Sequence, residues 1–206
     1  MGRLRVSYET IDPSNPPVAV IAGKLNGKHF GIALHTRYSG LAWAKKDSVG
    51  YNTKFEGIIC NKQGSETAGT ATFTGDTDGS DSWEYIKQHD SAGAVDAATN
   101  YPAFQWVNTY NTTYADKLGG KIFNWYMPSL AELCEIYKNR EIINRSLTKI
   151  HGHDPNYADA SLGTGLYWSS PHYYGAHFVS NVAFSNGRVA IGSKDIDNRV
   201  CCIAVF

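Results

Sequence analysis

The sequence is poor in the features that announce most chemistries. Cysteine is scarce, with four in 206 residues, at positions 60, 134, 201 and 202. No CxxC and no His/Cys spacing of the zinc type occurs, so the pattern gives no basis for a metal site. Cys201 and Cys202 are neighbours, and on a strand they would point to opposite faces, so at most one can share a core with Cys134. A disulfide from Cys60 or Cys134 to this pair and buried free thiols both fit; the low count speaks for free thiols. Charge of one sign is also lacking. Lys plus Arg and Asp plus Glu number 19 each, and charged residues make up only 18%. That balance offers no electrostatic footprint for nucleic acid or a membrane surface. No apolar run reaches the roughly 18 residues of a membrane-spanning helix. Met1-Gly2-Arg3-Leu4-Arg5 lacks the apolar stretch of a signal peptide. No G-x-S-x-G, G-x-G-x-x-G or Walker sequence is present; Gly163-Thr164-Gly165 is too short and precedes a strand-like segment. No pair of carboxylates stands in a catalytic context. Ser169-Ser170 reads as a strand-end turn with backbone-bonding hydroxyls and not as a nucleophile pair. Nothing in the sequence requires catalysis.

What is present is an apolar content of 42%, enough for one domain with a sizeable core. Aromatics reach 13%, and 13 of them are Tyr. Tyr together with Gly, Ser and Asn is the chemistry of adaptable binding loops, or of a large irregular β-rich domain.

Along the chain, Arg3 to Ile11 alternates polar and apolar residues, a half-exposed strand. After the Pro-rich break from Asp12 to Pro17, Val18 to Ala22 reads as a buried strand. Asn26-Gly27 predicts a two-residue hairpin, with His29 to His35 as the return strand. Gly40 to Ala44 reads as a strand or turn. Residues 45–79 read as irregular, with one short strand near Ile58-Ile59-Cys60. The run Asp76-Thr77-Asp78-Gly79-Ser80-Asp81 invites a calcium reading, but the EF-hand order and its closing Glu are missing. Helix capping by Asp81 or Ser80 explains it with fewer assumptions. Ser82 to His89 predicts a short helix, and Ala103, Phe104, Val107 and Tyr110 share one face of another. Ser129 and Glu132 stand at capping-box spacing and open a helix to about Asn139. A second helix spans Glu141 to Ile150, stopped by His151-Gly152-His153-Asp154-Pro155, whose two His read as solvated turn residues.

Two motifs add a family. Trp125-Tyr126-Met127-Pro128-Ser129-Leu130-Ala131-Glu132-Leu133 and Tyr167-Trp168-Ser169-Ser170, with the ending Asn198 to Phe206, resemble the variable proteins of diversity-generating retroelements in spirochaetes. The resemblance is good over residues 80–206 and vague before them. It implies an α+β fold, the formylglycine-generating-enzyme type of C-type lectin fold, in which two or more helices pack on small antiparallel sheets. It implies one domain over 1–206, with a β-rich part at 1–80 and a variable region at 166–206 closed by a C-terminal strand. It further implies a non-enzymatic, surface-displayed binding protein, whose C-terminal loops are rewritten by adenine-directed mutagenesis. AAY codons randomised at their first two bases cannot yield Lys, Trp, Glu, Gln or Met. Between Pro171 and Asn198 only Lys194 falls outside the reachable set.

The resemblance assigns ligand contact or diversification to His172, Tyr173, Tyr174, His177, Asn181, Ser185, Arg188, Ser193, Asp195, Asp197 and Asn198. Trp168, Phe178, Val182, Phe184, Val189, Val200, Ile203 and Val205 would pack the scaffold, with the terminal Phe206 packed as well. The implied partner is an unknown protein or surface ligand, with no nucleic acid, no membrane span, no metal and no cofactor. The chain is expected to be a monomer at the cell surface or outside the cell, any lipid anchor lying on a segment absent from it. Sugar-binding Glu-Pro-Asn, Gln-Pro-Asp and Trp-Asn-Asp sequences are missing, so calcium-dependent sugar binding is not implied. Formylglycine-generating enzymes hold copper on a Cys pair, whereas Cys201 and Cys202 are adjacent on an expected strand and cannot both face one metal. An oxidoreductase of that type and a structural cell-surface module remain the alternative readings.

Overall fold

The computed structural model describes residues 12, 14–64, 67–173 and 175–206, and at Pro171 and His172 the backbone alone. The strand expected over residues 3–11 lies outside the described residues. The class is α+β. Strands β1 (Ala19–Leu25) and β2 (Lys28–Ala33) form the expected hairpin. Asn26 and Gly27 both take positive φ (50° and 80°), the mirror-image turn that suits strand twist. The chain then runs through β3 (Arg37–Leu41) into a one-turn helix, α1 (Val49–Asn52). Residues 45–79 are more ordered than expected. They hold α1, a tight turn at Glu56–Ile58, and a hairpin of β4 (Cys60–Gln63) with β5 (Thr72–Gly75).

Five short helices follow: α2 (Ser82–His89), α3 (Ser91–Val95), α4 (Ala97–Asn100), α5 (Pro102–Asn108) and α6 (Tyr110–Thr113). The expected cap of α2 needs correction. Asp81 makes no capping bond, and it is Asp78 that accepts from Ser80 N–H, one turn earlier. Then come α7 (Leu130–Lys138) and α8 (Arg140–His153). The last helix runs through Gly152 to His153, so both His lie in its final turn. His151 Nδ1 stands 2.8 Å from the carbonyl oxygen of Ala158, a fixed contact and not a solvated turn.

The remaining strands are β6 (Leu166–His172), β7 (Phe178–Ala183), β8 (Val189–Ser193), β9 (Asn198–Val200) and β10 (Ile203–Val205). Among the described residues they complete a three-stranded sheet, β1-β2-β10, and a five-stranded one, β3-β9-β6-β7-β8. The expected single closing strand is therefore two, one in each sheet. Cys201-Cys202 is the crossover, pinned where Ala33 N–H donates to the Cys202 carbonyl (3.0 Å). Alternation at the crossover sends the two thiols into different interiors. Cys201 joins Cys60, Cys134 and the aliphatic core under α7 and α8. Cys202 joins an aromatic core of Trp43, Phe55, Tyr101, Phe104, Tyr110 and Trp168. All four cysteines are free and buried.

The start of α7 is tied to the chain at several points. Ser129 Oγ accepts from Glu132 N–H, and Glu132 Oε2 accepts from Ser129 N–H (2.8 Å), the reciprocal box expected from the spacing. The same carboxylate also accepts from Gly79 N–H (3.1 Å) and from the Tyr126 hydroxyl (2.8 Å). Gly79 has no room for a side chain, since a Cβ there would lie 2.6 Å from Met127 O and Ser129 N. Burial pushes the Glu132 carboxyl above the usual range, while its three donors pull the other way.

Glu132→Ala would strand three buried donors, each at about 1–3 kcal/mol. We expect it to lower the unfolding free energy by about 3 kcal/mol or more in urea denaturation at neutral pH, with Glu132→Gln in between. A loss near zero for Glu132→Ala would show that this carboxylate does not organise the fold.

Candidate functional site

The surface where β7 and β8 meet α1 gathers the polar and aromatic groups. Beyond Ser193 the chain turns through Lys194 and Asp195, closed by Ile196 N–H donating to Ser193 O (3.2 Å). Ser193 Oγ donates to Asp195 Oδ1 and lies 3.5 Å from the Tyr51 hydroxyl. The His177 ring stacks on Tyr51, centroids 4.7 Å apart and 19° from parallel, and its Nε2 stands 3.2 Å from Asn52 Oδ1. α1 begins at Ser48, whose hydroxyl accepts from Tyr51 N–H. Tyr173 is half-buried on the same loop, its N–H bonded to Phe178 O (3.2 Å).

Lys194 underlies this group with no exposed surface. Its Nζ donates to the carbonyls of Gly50 (2.6 Å) and Thr53 (2.8 Å). It also sits 4.8 Å from the ring centroid of Trp43 and 5.1 Å from that of Phe55. Burial draws its pKa down to about 7.

The expected contact residues therefore fall in different places. His177, Ser193 and Asp195 come together, with Tyr173 on the same loop as His177. Ser185 and Arg188 are exposed at the other turn of the β7–β8 hairpin, roughly 17 Å away along the strand. Asp197 is exposed beside Gly40, at the β3–β9 edge. Asn181 (1% exposed) and Asn198 (5%) are interior and need correction as surface contacts. Both sit on strands flanked on two sides, β7 between β6 and β8, and β9 between β3 and β6. Asn181 pairs with Trp168 and packs over Gly192. The backbone of His172, the last residue of β6, pairs with Val179 of β7, and Tyr174 lies outside the described residues.

Tyr51 and Asn52 were missed by sequence reasoning. The only local signal was Ser48 as a helix cap in a segment read as irregular. The scaffold assignment also needs two corrections, because Phe178 (44%) and Val205 (47%) are exposed at sheet ends. Phe206, expected to be packed, is likewise exposed (44%), with one side of its ring against Phe123 and Trp125. Trp168, Val182, Phe184, Val189, Val200 and Ile203 are buried as expected. Ser169 and Ser170 lie inside β6 and are buried; Ser169 Oγ donates to Ser180 O, and Ser82 Oγ donates to Ser170 Oγ.

Burial pushes the Cys60, Cys134 and Cys201 thiols up to about 12, and Cys202 also well above its usual value. Among the described residues no three His, Cys, Asp or Glu are grouped to hold a metal ion. In the acidic run, Asp76 Oδ1 accepts from Asp78 N–H, Asp78 Oδ1 accepts from Ser80 N–H, and Lys28 pairs with Asp78 (3.1 Å). No helix among the described residues is long and apolar enough to cross a membrane. A scan against protein-family models, a search of curated proteins and a search of solved structures each return no match to this chain.

Burial first, and then the Asp81 and Asp78 charges, raise the Asp76 carboxyl to about 6 from an ordinary 3.8. Its folded pKa lies above its unfolded one, so the native state takes up the proton first. The stability this group contributes is complete below about 3.8 and is lost as pH rises through about 6. Asp76→Asn should therefore melt higher than the wild type at pH 7.5 and converge with it at pH 4. A difference in melting temperature that is the same at both pH values would refute this.

Proposed function

We propose that this chain is a surface-displayed binding protein, without catalytic activity, whose C-terminal face is diversified by a retroelement on a C-type lectin fold of the formylglycine-generating-enzyme type. The observation that carries the reading is the separation of a buried frame from a polar, aromatic face within one stretch of chain. Trp168, Val182, Val200 and Ile203 are interior, while His177, Ser193 and Asp195 gather at the surface beside Tyr51 and Asn52. Such a face binds through flat rings with few rotamers to lose and through adaptable hydrogen bonds from Ser, Asn and Asp.

Further features agree with the family reading. The Trp-Tyr-Met-Pro-Ser stretch leads into α7, and Tyr167-Trp168-Ser169-Ser170 lies in the central strand of the larger sheet. The last strand returns to β2, closing the first sheet. Lys194, the one residue of 171–198 that randomised AAY codons cannot produce, is wholly buried. Asn181 and Asn198, being interior, leave the contact set proposed here.

Two measurements test the reading. The 3′ end of the gene should have a near-copy in the same genome that differs from it at adenines. Those differences should include the codons of His177, Ser193 and Asp195; a genome with no such near-copy sinks the proposal. On the protein, Tyr173→Ser, His177→Ser and Asp195→Ser should each change the unfolding free energy by less than about 1 kcal/mol. Trp168→Ala should cost about 3–5 kcal/mol. Comparable losses on face and frame would argue against a surface built to vary.

A further inference from the structure

Lys194 is unusual on every physical count. A lysine with no exposed surface normally has a carboxylate partner. Here burial is the only cause acting on its pKa, and carbonyls and rings do the holding. The carbonyls of Gly50 and Thr53 belong to the carboxyl end of α1, where a helix leaves acceptors unsatisfied. A single turn of helix has almost no stability of its own. α1 is held from outside by Lys194 below and by the His177 ring stacked on Tyr51. The main chain of Lys194 is fixed as well, its N–H donating to His177 O (2.9 Å) and its carbonyl accepting from Ala44 N–H (3.1 Å). One side chain thus joins a rigid strand end to the segment that presents Tyr51 and Asn52.

We propose that Lys194 is a proton-linked strap: it ties residues 49–53 to the turn after β8, and release of the tie takes up a proton, so the Tyr51–His177 surface is fixed at alkaline pH and loosened as pH falls towards neutral. As regulation of a ligand face this rests on the binding function proposed above; as a conformational device it does not. Either protonation state can serve both carbonyls, since an ammonium has three N–H donors and an amine two. The charge is what burial opposes. In the closed form the amine titrates at about 7; released into water it returns towards 10.5. The open form therefore holds its proton more tightly than the closed form between these values, so closure gains as pH rises above about 7.

The other titratable groups around the strap are identifiable. They are Asp195 on the same turn, His177 from the loop before β7, Tyr51 on α1, the exposed Lys54–Glu56 pair, Lys45, Lys46 and Asp47 before α1, and Tyr101, which sits under Gly50 with its hydroxyl bonded to Asp90. None of these appears among the causes that move Lys194.

The test is amide hydrogen exchange of the full chain without ligand, from pH 6 to 9, corrected for the intrinsic rate. Protection of residues 49–53 should rise roughly tenfold per pH unit between about 7 and 9, the slope of one linked proton. Lys194→Met should abolish the slope, and His177→Asn should keep it. Flat protection in the wild type, or an unchanged slope in Lys194→Met, overturns the strap. Should Lys194→Met not fold, NMR titration of the wild-type Lys194 side chain decides. A midpoint near 7 supports the strap and one near 10.5 refutes it. Because no ligand is used, failure here leaves the binding function standing, and a missing near-copy of the gene's 3′ end leaves the strap standing.

Discussion

The Glu132 carboxylate is the interaction on which the rest of the architecture depends. One oxygen closes the first turn of α7 and reaches across to Gly79 N–H; the other takes the Tyr126 hydroxyl. Tyr126 in turn exchanges main-chain hydrogen bonds with Ile203 of β10 (2.9 Å each way). Ser129, the partner in the cap, donates to Thr77 O (2.7 Å). A local helix cap is thereby made to hold two distant pieces of chain, the acidic turn at 77–79 and, through Tyr126, the last strand. Neutral donors do all of this, and no cation is needed. The geometry tolerates little change because an unmet buried donor costs more than a satisfied one gains.

From that knot the chain's end is distributed between two interiors. β9 lies in the larger sheet and β10 in the smaller, so the crossover at Cys201-Cys202 joins the aliphatic core to the aromatic one. Two adjacent thiols, which in sequence suggest chemistry, are each consumed as small packing groups. β6, with Trp168 donating its indole N–H to Leu41 O (2.8 Å), lies at the centre of the larger sheet. Frame and face then alternate along one short stretch of chain. The face is held in register by the sheet behind it, and this allows exposed positions to change without moving the backbone that carries them.

Several elements were legible because their causes are local. The Asn26-Gly27 hairpin, α2 and the capping box of α7 each follow from residues within a few positions of one another. So did the division of Cys201 from Cys202, since alternation on an extended chain needs no knowledge of the partner strands. The α+β class, expected from the family resemblance, is the class the structure has. The helix after Asn139 runs to His153, three residues past the expected end at Ile150, because the His151-Gly152-His153-Asp154-Pro155 run stops it only at Asp154 and the contact of His151 with Ala158 O holds the last turn.

Other features could not be read locally, for a common reason. Whether a polar residue on a strand is inside depends on what covers its face, and the covering segments are far away in sequence. Asn181 and Asn198 look like loop contacts until β7 and β9 are seen with a strand on both sides. Lys194 looks like an exposed loop residue until α1 and the Trp43 ring close over it. His177 and Asn52 meet across 125 residues, a pairing that no spacing rule records. The sequence by itself determined the Asn26-Gly27 turn, the cap of α7 and the alternation at Cys201-Cys202, because these are settled between neighbours. Only the tertiary structure decided which polar groups are buried and which share a surface, because burial and contact belong to segments that become neighbours on folding.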